Sequence, residues 1–269
     1  MSSLPGDPFA LLPPVAFAAA ARRTLPLFGA EVELLWLPER RHRRGRPIET
    51  RPACAPDFAA RIIAEEALWR GAGVALTPNR HPFGPRQLVV WRDAFVREAD
   101  AVLLDAGTAL AERAGATLLV NSIGAAASIV RAHAHLLGER LPFLDGLALE
   151  PVASQAIEPP PGVALARAAA PYPSLLVAIH GPRAARVETA VRLIQHRCVP
   201  AFSLLDDGTR TWFCPRTLEV PAPYFPQALG SAELWGRWCW DEEDAFRRVR
   251  SEDLARALGA TGAPRAAAL

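Results

Sequence analysis

The chain contains no lysine: all 30 of its basic residues are arginines. That excludes chemistry built on a lysine side chain, such as a Schiff base, a phosphate-loop lysine or the strand lysine of a protein kinase. Cysteine is scarce as well. Cys54, Cys198, Cys214 and Cys239 stand singly with no C-x-x-C pair. Neither a zinc knuckle nor a disulfide framework is expected, and the four read as buried reduced thiols. No apolar run approaches the roughly 18 residues that cross a bilayer. The apolar stretch 15–21 follows Pro13 and Pro14 and has no basic segment before it, so it reads as packed chain rather than a secretory signal. Net charge is only +2, without the concentrated basic face of a nucleic-acid binder. The expectation is a cytoplasmic protein with neither membrane nor nucleic acid as partner.

What is present is a foldable composition. At 269 residues, 51% apolar and 22% charged, the chain can bury a large core in two lobes and is not intrinsically disordered. Residues 39–51 are rich in arginine without interleaved aromatics and read as a solvated loop. Spacing predicts a helix over 56–71, a strand at 88–91, a long helix over 93–114 closed by Gly115, and a strand at 117–120. Alternation predicts a strand over 128–137. The proline- and alanine-rich stretch 151–173 reads as a linker or long loop. A strand at 174–179, a helix at 184–196, a hairpin turning at Asp206-Asp207-Gly208 and a last helix from Ser251 to Gly259 complete the pattern. The segments expected are 1–53, an N-terminal piece; 54–150, the lobe carrying the chemistry; 151–173, the linker; and 174–269, a second lobe.

The string N-S-I-G-A-A-A-S-I-V-R-A-H-A-H-L-L-G-E-R, residues 121–140, carries the chemistry. On a strand Arg131, His133 and His135 point the same way, about 6.6 Å apart in succession, a span over which one phosphoryl group touches all three. Ser128 and the glycine-containing loop before it offer hydroxyl and backbone donors to the same group. The residues alone leave three readings. In one, His133 attacks a nucleotide α-phosphorus. In another, His133, His135 and Glu139 are the ligands of a cupin-type metal site. In the third, the two histidines merely sit on a half-exposed strand.

A second motif favours the first reading. Asn79-Arg80-His81-Pro82-Phe83-Gly84-Pro85-Arg86-Gln87, followed by L-V-V-W, resembles the N-K-F-P-x-x-P-x-H plus strand of diadenosine tetraphosphate phosphorylases. It is also similar to the corresponding segment of histidine-triad nucleotide hydrolases. Ser128 precedes 131, 133 and 135 by the spacing found in that superfamily, and H-A-H-L-L-G-E-R resembles its triad strand. The tail, with its D-D-G hairpin, C-P-R and G-S-A-E-L-W-G, looks like the second lobe of the GDP-hexose and dinucleotide phosphorylases. The chain thus resembles the histidine-triad/galactose-1-phosphate uridylyltransferase superfamily.

The resemblance implies an α+β fold with an antiparallel sheet, packed helices and a second, smaller α+β lobe. It implies a nucleotidyltransferase or phosphorylase acting on a dinucleoside polyphosphate or a nucleoside diphosphate sugar through a histidyl-nucleotide. His133 is then the nucleophile, and His135 holds the α-phosphate and helps the leaving group depart. Asn121, Ser128 and Arg131 bind phosphate, and Asn79 binds ribose. Phosphate or water is the acceptor and the protein's partners are small molecules. No cofactor is obligatory, a divalent cation accompanying the nucleotide being allowed, and a homodimer is compatible. Three departures stand out. Arg131 replaces the first histidine, so a zinc site of the uridylyltransferase kind is not expected. His135 stands where phosphorylases have glutamine, as it does in hydrolases. Gln87 replaces the histidine after the second proline. A nucleotide hydrolase and a non-catalytic nucleotide-binding protein are the alternatives.

Overall fold

A computed structural model describes residues 4–14, 17–43 and 56–267. Cys54 and most of the arginine-rich stretch lie outside the described residues. A 3-10 turn (Pro8–Leu11) is followed by a hairpin, β1 (Ala21–Leu27) and β2 (Ala30–Trp36), and then by α1 (Pro56–Glu66). Next come β3 (Trp69–Gly71), β4 (Val74–Pro78), β5 (Gln87–Arg92), α2 (Ala101–Ala114), β6 (Thr117–Asn121) and β7 (His133–Leu137). The same order then recurs as β8 (Leu149–Pro151), β9 (Ala164–Ala168), β10 (Val177–His180), α3 (Arg183–His196), β11 (Ala201–Asp206) and β12 (Arg210–Arg216). Last are α4 (Ser231–Trp235), β13 (Arg237–Trp240), α5 (Glu243–Arg248) and α6 (Ser251–Thr261).

One 10-stranded sheet runs β3-β4-β5-β7-β6-β11-β12-β10-β9-β8, with every neighbouring pair antiparallel. Its two halves are topological copies that meet where β6 pairs with β11. A second, 3-stranded sheet joins β1 and β2 to β13, which lies parallel to β2. The architecture is α+β.

Residues opposite one another on antiparallel strands share a face, so each face of the large sheet can be followed across the register. Val90, Leu118, Val120, Ala134, Leu136, Phe202 and Leu204 form one face, buried under Leu103, Leu104 and Leu110 of α2 and Val187, Leu193 and Ile194 of α3. On the other face Leu119, Leu137, Leu205, Trp212 and Cys214 pack against Leu34 and Leu35 of β2, Trp238 and Trp240 of β13, and Phe225. Near the β4 edge of that second face, Ala75, Val89 and Trp91 are covered instead by Ala59 and Ile63 of α1.

Several expected elements shift, each for a local reason. The helix expected over 56–71 ends at Glu66, because Ala72 (φ 47°) and Gly73 (φ 76°) form a tight turn that makes residues 69–71 a strand. The helix expected from 93 starts at Ala101, where the Asp100 carboxylate accepts the Leu103 N–H at 2.9 Å. The strand expected from 128 starts at His133. The strand expected at 174–179 is β10, three residues later at its start. The stretch 151–173 contains β9, paired along its length with β10. α6 continues through Gly259, and its start is capped by Asp253, which accepts the Arg250 N–H at 3.1 Å, rather than by Ser251. Of the described cysteines, Cys214 and Cys239 are buried as expected but Cys198 is exposed. Burial pushes the Cys214 thiol up to about 11 and Cys239 up to about 12.

Arg237, 1% exposed, fastens the small sheet to the large one. Its guanidinium meets Glu33 of β2, Glu139 just beyond β7, and the Phe83 carbonyl at 3.3 Å. A Cβ added at Gly84 would lie 2.5 Å from Arg237 Nη1, so the glycine in the N-R-H-P-F-G-P motif allows that approach. Arg237→Met should deprive Glu139 of its arginine and leave Glu33 only Arg22, at 2.7 Å, and cost about 3–5 kcal/mol. Chemical denaturation should read this as a lower midpoint at unchanged slope, and a change under 1 kcal/mol would show that the clamp carries little.

Candidate active site

β7 lies between β5 and β6, with Trp91 opposite His133 and Val89 and Leu119 opposite His135. Both imidazoles therefore project from the same face, in the interval between the α1-covered cluster and the larger core under the small sheet. Ala132, Ala134 and Leu136 are buried on the other face, so the predicted alternation holds from residue 132 onward. Each imidazole is half-buried.

His133 is held from two sides. Its ring lies 5.0 Å from the Trp91 ring, tilted by 30°. Trp91 is itself pinned, its Nε1–H donating to Thr77 Oγ1 at 2.9 Å. His133 Nδ1 is 2.8 Å from the Arg131 carbonyl. A carbonyl only accepts, so Nδ1 carries the proton and the lone pair sits on Nε2. His135 meets the His133 ring edge-on at 5.7 Å and the Phe83 ring at 5.6 Å. Its Nδ1 is 3.2 Å from Gln87 Nε2.

Asn79 begins the loop that carries Phe83 and Gln87. Its Oδ1 accepts the His81 N–H at 3.0 Å, while its Nδ2 is buried with no hydrogen-bond partner among the described residues. Over this loop lies Arg40, donating to the His81 carbonyl at 3.3 Å with its guanidinium carbon 5.6 Å from the Phe83 ring centre.

Asn121 ends β6, and alternation from Leu119 places it on the histidine face. Its Oδ1 accepts from Ser203 Oγ at 2.9 Å and from the Ser231 N–H at 2.8 Å. Buried Arg216 in turn donates to Ser203 Oγ at 3.2 Å. These contacts commit the amide oxygen, so Nδ2 is the end of the Asn121 side chain that can donate. The loop 122–132 leads from Asn121 to His133, and Ser128 is exposed on it. Gly124 (φ 83°) and Ala126 (φ 75°) take left-handed conformations in that loop. The strained Ala126 is secured by its N–H, which donates to Glu219 Oε1 at 3.0 Å.

Arg131 does not join the row. It precedes β7, and its Nε donates to the Arg92 carbonyl at 2.8 Å while Nη2 donates to the Asp93 carbonyl. Burial pulls this guanidinium below its ordinary range. The side chain expected beside the histidines thus braces the turn that carries the His133-orienting carbonyl. The cupin arrangement is not assembled either. Glu139 is paired with Arg237, and among the described residues no three His, Cys, Asp or Glu side chains are grouped to hold a metal ion.

Sequence reasoning did not find Trp91, Phe83, Ser203 or Glu219, and it took Gln87 only as a departure. Trp91 was detectable as the aromatic residue ending the strand after the Asn79 motif. Ser203 and Glu219 approach the site through pairings of β11 and its neighbours that carry no local signal.

The fold compares with solved phosphorylases. The yeast Ap4A phosphorylase Apa2 overlays with a TM-score of 0.65 at 14% identity, covering 92% of this chain and 91% of that one. Its complex with Ap4A gives 0.63 at 13% identity, over 92% and 90%. An ADP-glucose phosphorylase from Arabidopsis thaliana with bound ADP-glucose gives 0.44 at 13%, over 93% and 99%, too slight to argue from. No protein-family model matches the sequence, and no curated protein does. At these identities the likeness speaks for the fold alone, which this chain shares with the yeast Ap4A phosphorylase. Among the described residues no helix is long and apolar enough to cross a membrane.

Glu233 supports the Asn121 end of the site, its Oε2 accepting the Gly230 N–H at 2.8 Å beside Ser231. Burial raises its carboxyl from 4.5 to about 7. The folded state therefore holds the proton more tightly than the unfolded chain, and this group's contribution to stability falls as pH rises from 4.5 through about 7. Glu233→Gln keeps an acceptor and removes the slope. Thermal melts at pH 5 and pH 8 should show the variant gaining on the parent by a few degrees at the higher pH, and an equal offset at both pH values would contradict the assignment.

Proposed function

We propose that the protein is a nucleotidyltransferase of the phosphorylase kind, acting on a dinucleoside polyphosphate or a nucleoside diphosphate sugar. The observation that carries this reading is the hydrogen bond from His133 Nδ1 to the Arg131 carbonyl, which turns a nucleophilic Nε2 lone pair toward the face shared with His135 and Asn121. In the first step Nε2 attacks the α-phosphorus, a P–N bond forms, and the bridging P–O bond breaks with its electron pair going to the leaving group. In the second, phosphate or water attacks phosphorus, the P–N bond breaks and the nucleotide departs.

The surroundings fit these steps. Asn121 Nδ2, the Ser128 hydroxyl and backbone N–H groups of loop 122–132 are the donors available to phosphoryl oxygens. The buried, partnerless Nδ2 of Asn79 suits a ribose hydroxyl, which accepts as well as donates. Any divalent cation belongs to the incoming nucleotide. A nucleotide hydrolase is the second reading, favoured by His135 and differing only in water as the acceptor.

Incubation with substrate labelled at the α-phosphate, followed by alkaline quench and mass spectrometry, should find an acid-labile adduct on His133. His133→Ala should lower turnover by ~10⁴-fold or more. Asn79→Ala should raise KM about tenfold with kcat retained, the worth of one hydrogen bond. Nucleotide binding with no adduct, and full turnover in His133→Ala, would leave a binding protein instead. Product release with and without phosphate separates phosphorylase from hydrolase.

A further inference from the structure

Gln87 is where the sequence leaves the pattern it otherwise resembles, and the structure gives it a definite task. The backbone N–H of Phe83 can only donate, and it meets Gln87 Oε1 at 2.9 Å. That contact fixes which end of the amide is which. The remaining end, Nε2, has only N–H bonds to offer, and it faces His135 Nδ1 at 3.2 Å. Nδ1 must therefore accept. A neutral imidazole has one proton to place, and here it sits on Nε2. Gln87 is 4% exposed, so water does not readily substitute for either contact.

Two histidines two residues apart are thus held in opposite tautomers by different partners. His133 keeps its proton on Nδ1 against a carbonyl, and His135 keeps its own on Nε2 against an amide N–H. Doubly protonating His135 would set Nδ1–H against the Gln87 N–H, two donors head-on. A histidine at position 87, as in the families this chain resembles, could exchange donor and acceptor roles. An amide whose oxygen is tied to Phe83 cannot.

We infer that Gln87 is a positioning residue that keeps His135 a neutral hydrogen-bond donor, so that the site accepts substrates whose leaving group departs as a phosphate anion and disfavours those whose leaving group must take a full proton. This rests on the nucleotidyl-transfer reading above. A neutral imidazole that gave up its Nε2 proton would become an imidazolate, so His135 stabilises charge on the departing oxygen without transferring the proton. When the P–N bond to His133 forms, the electron pair of the broken P–O bond stays on a nucleoside polyphosphate or sugar phosphate, which is stable as an anion. An amine leaving group from a nucleoside phosphoramidate needs a proton that this arrangement does not supply.

The test compares the parent with Gln87→Glu, whose carboxylate can accept both from Phe83 N–H and from His135 Nδ1–H and so permits an imidazolium. The measurement is kcat/KM for a dinucleoside polyphosphate against an adenosine 5′-phosphoramidate with an alkylamine leaving group. The ratio in favour of the phosphoramidate should rise by about 100-fold in Gln87→Glu, the range of general acid catalysis. Ring ¹⁵N NMR of His135 should show Nε2 protonated and Nδ1 bare in the parent. Gln87→Met, close in shape but without a donor, should lose that single tautomer and serves if Gln87→Glu does not fold. A parent His135 protonated on Nδ1, or an unchanged substrate ratio in Gln87→Glu, would overturn the proposal. The NMR measurement needs no turnover. If His133 forms no adduct while His135 shows the assigned tautomer, the transfer reaction falls and the positioning by Gln87 stands.

Discussion

The antiparallel pairing of β6 with β11 is the constraint on which the rest of the molecule depends. Without it the chain would be two five-stranded sheets, each with a long apolar edge at its centre. With it, one register sets Ser203 opposite Asn121 and Leu205 opposite Leu119. Every other pairing in the large sheet then follows in mirror order on either side of the seam. The same register lets Arg216, on the neighbouring β12, act on Asn121 through Ser203. A residue at the end of the half that carries His133 and His135 is thus oriented by the other half.

The two halves differ where the chemistry lies. The first half connects β6 to β7 by the loop 122–132, while the second connects β11 to β12 by the tight turn 207–209. On β12 the positions facing the same side as His133 and His135 hold Trp212, Cys214 and Arg216, all fully buried. An open loop and two half-buried imidazoles on one strand make one half of the sheet the candidate site. Closing the other turn and filling its strand with a tryptophan, a thiol and a braced guanidinium makes the other half a wall. Asp206 illustrates the cost of that closure. Burial raises its carboxyl to about 6 although Thr211, Arg186 and the Gly208 N–H all favour its charged form.

How much of this was legible depended on range. The apolar periodicity of β5, β6 and α3 is local and gave those elements nearly at their observed limits, and that of α2 gave its end though not its start. The alternation on β7 exposed the two histidines and their shared face. Arg131 broke that pattern because its partners, the carbonyls of residues 92 and 93 at the end of β5 and just past it, lie far back in the chain. Those same long-range bonds hold the segment before α2 out of the helix that its apolar spacing predicts. β9 was hidden by a proline-rich surround, and the seam and the mirror repeat have no local signature.

The missing lysines take on a different meaning in three dimensions. Without lysine, any phosphate must be met by arginine, histidine, hydroxyl or backbone donors. The buried arginines of this fold are instead committed to the protein. Arg216 spends its N–H groups on the carbonyls of Thr261, Leu218 and Leu229 and on Ser203 Oγ, and burial pulls it below its ordinary range. Arg131 holds two carbonyls and Arg237 two carboxylates. A rigid five-donor fork can span such partners where a single ammonium could not. The groups that the proposed reading assigns to a phosphate are then mainly neutral: amides, hydroxyls, backbone N–H and two imidazoles with assigned tautomers. On the nucleotidyl-transfer reading proposed above, neutral donors already fixed in place would need little rearrangement as charge builds on the phosphoryl oxygens, and would leave the Nε2 lone pair of His133 unprotonated beside them.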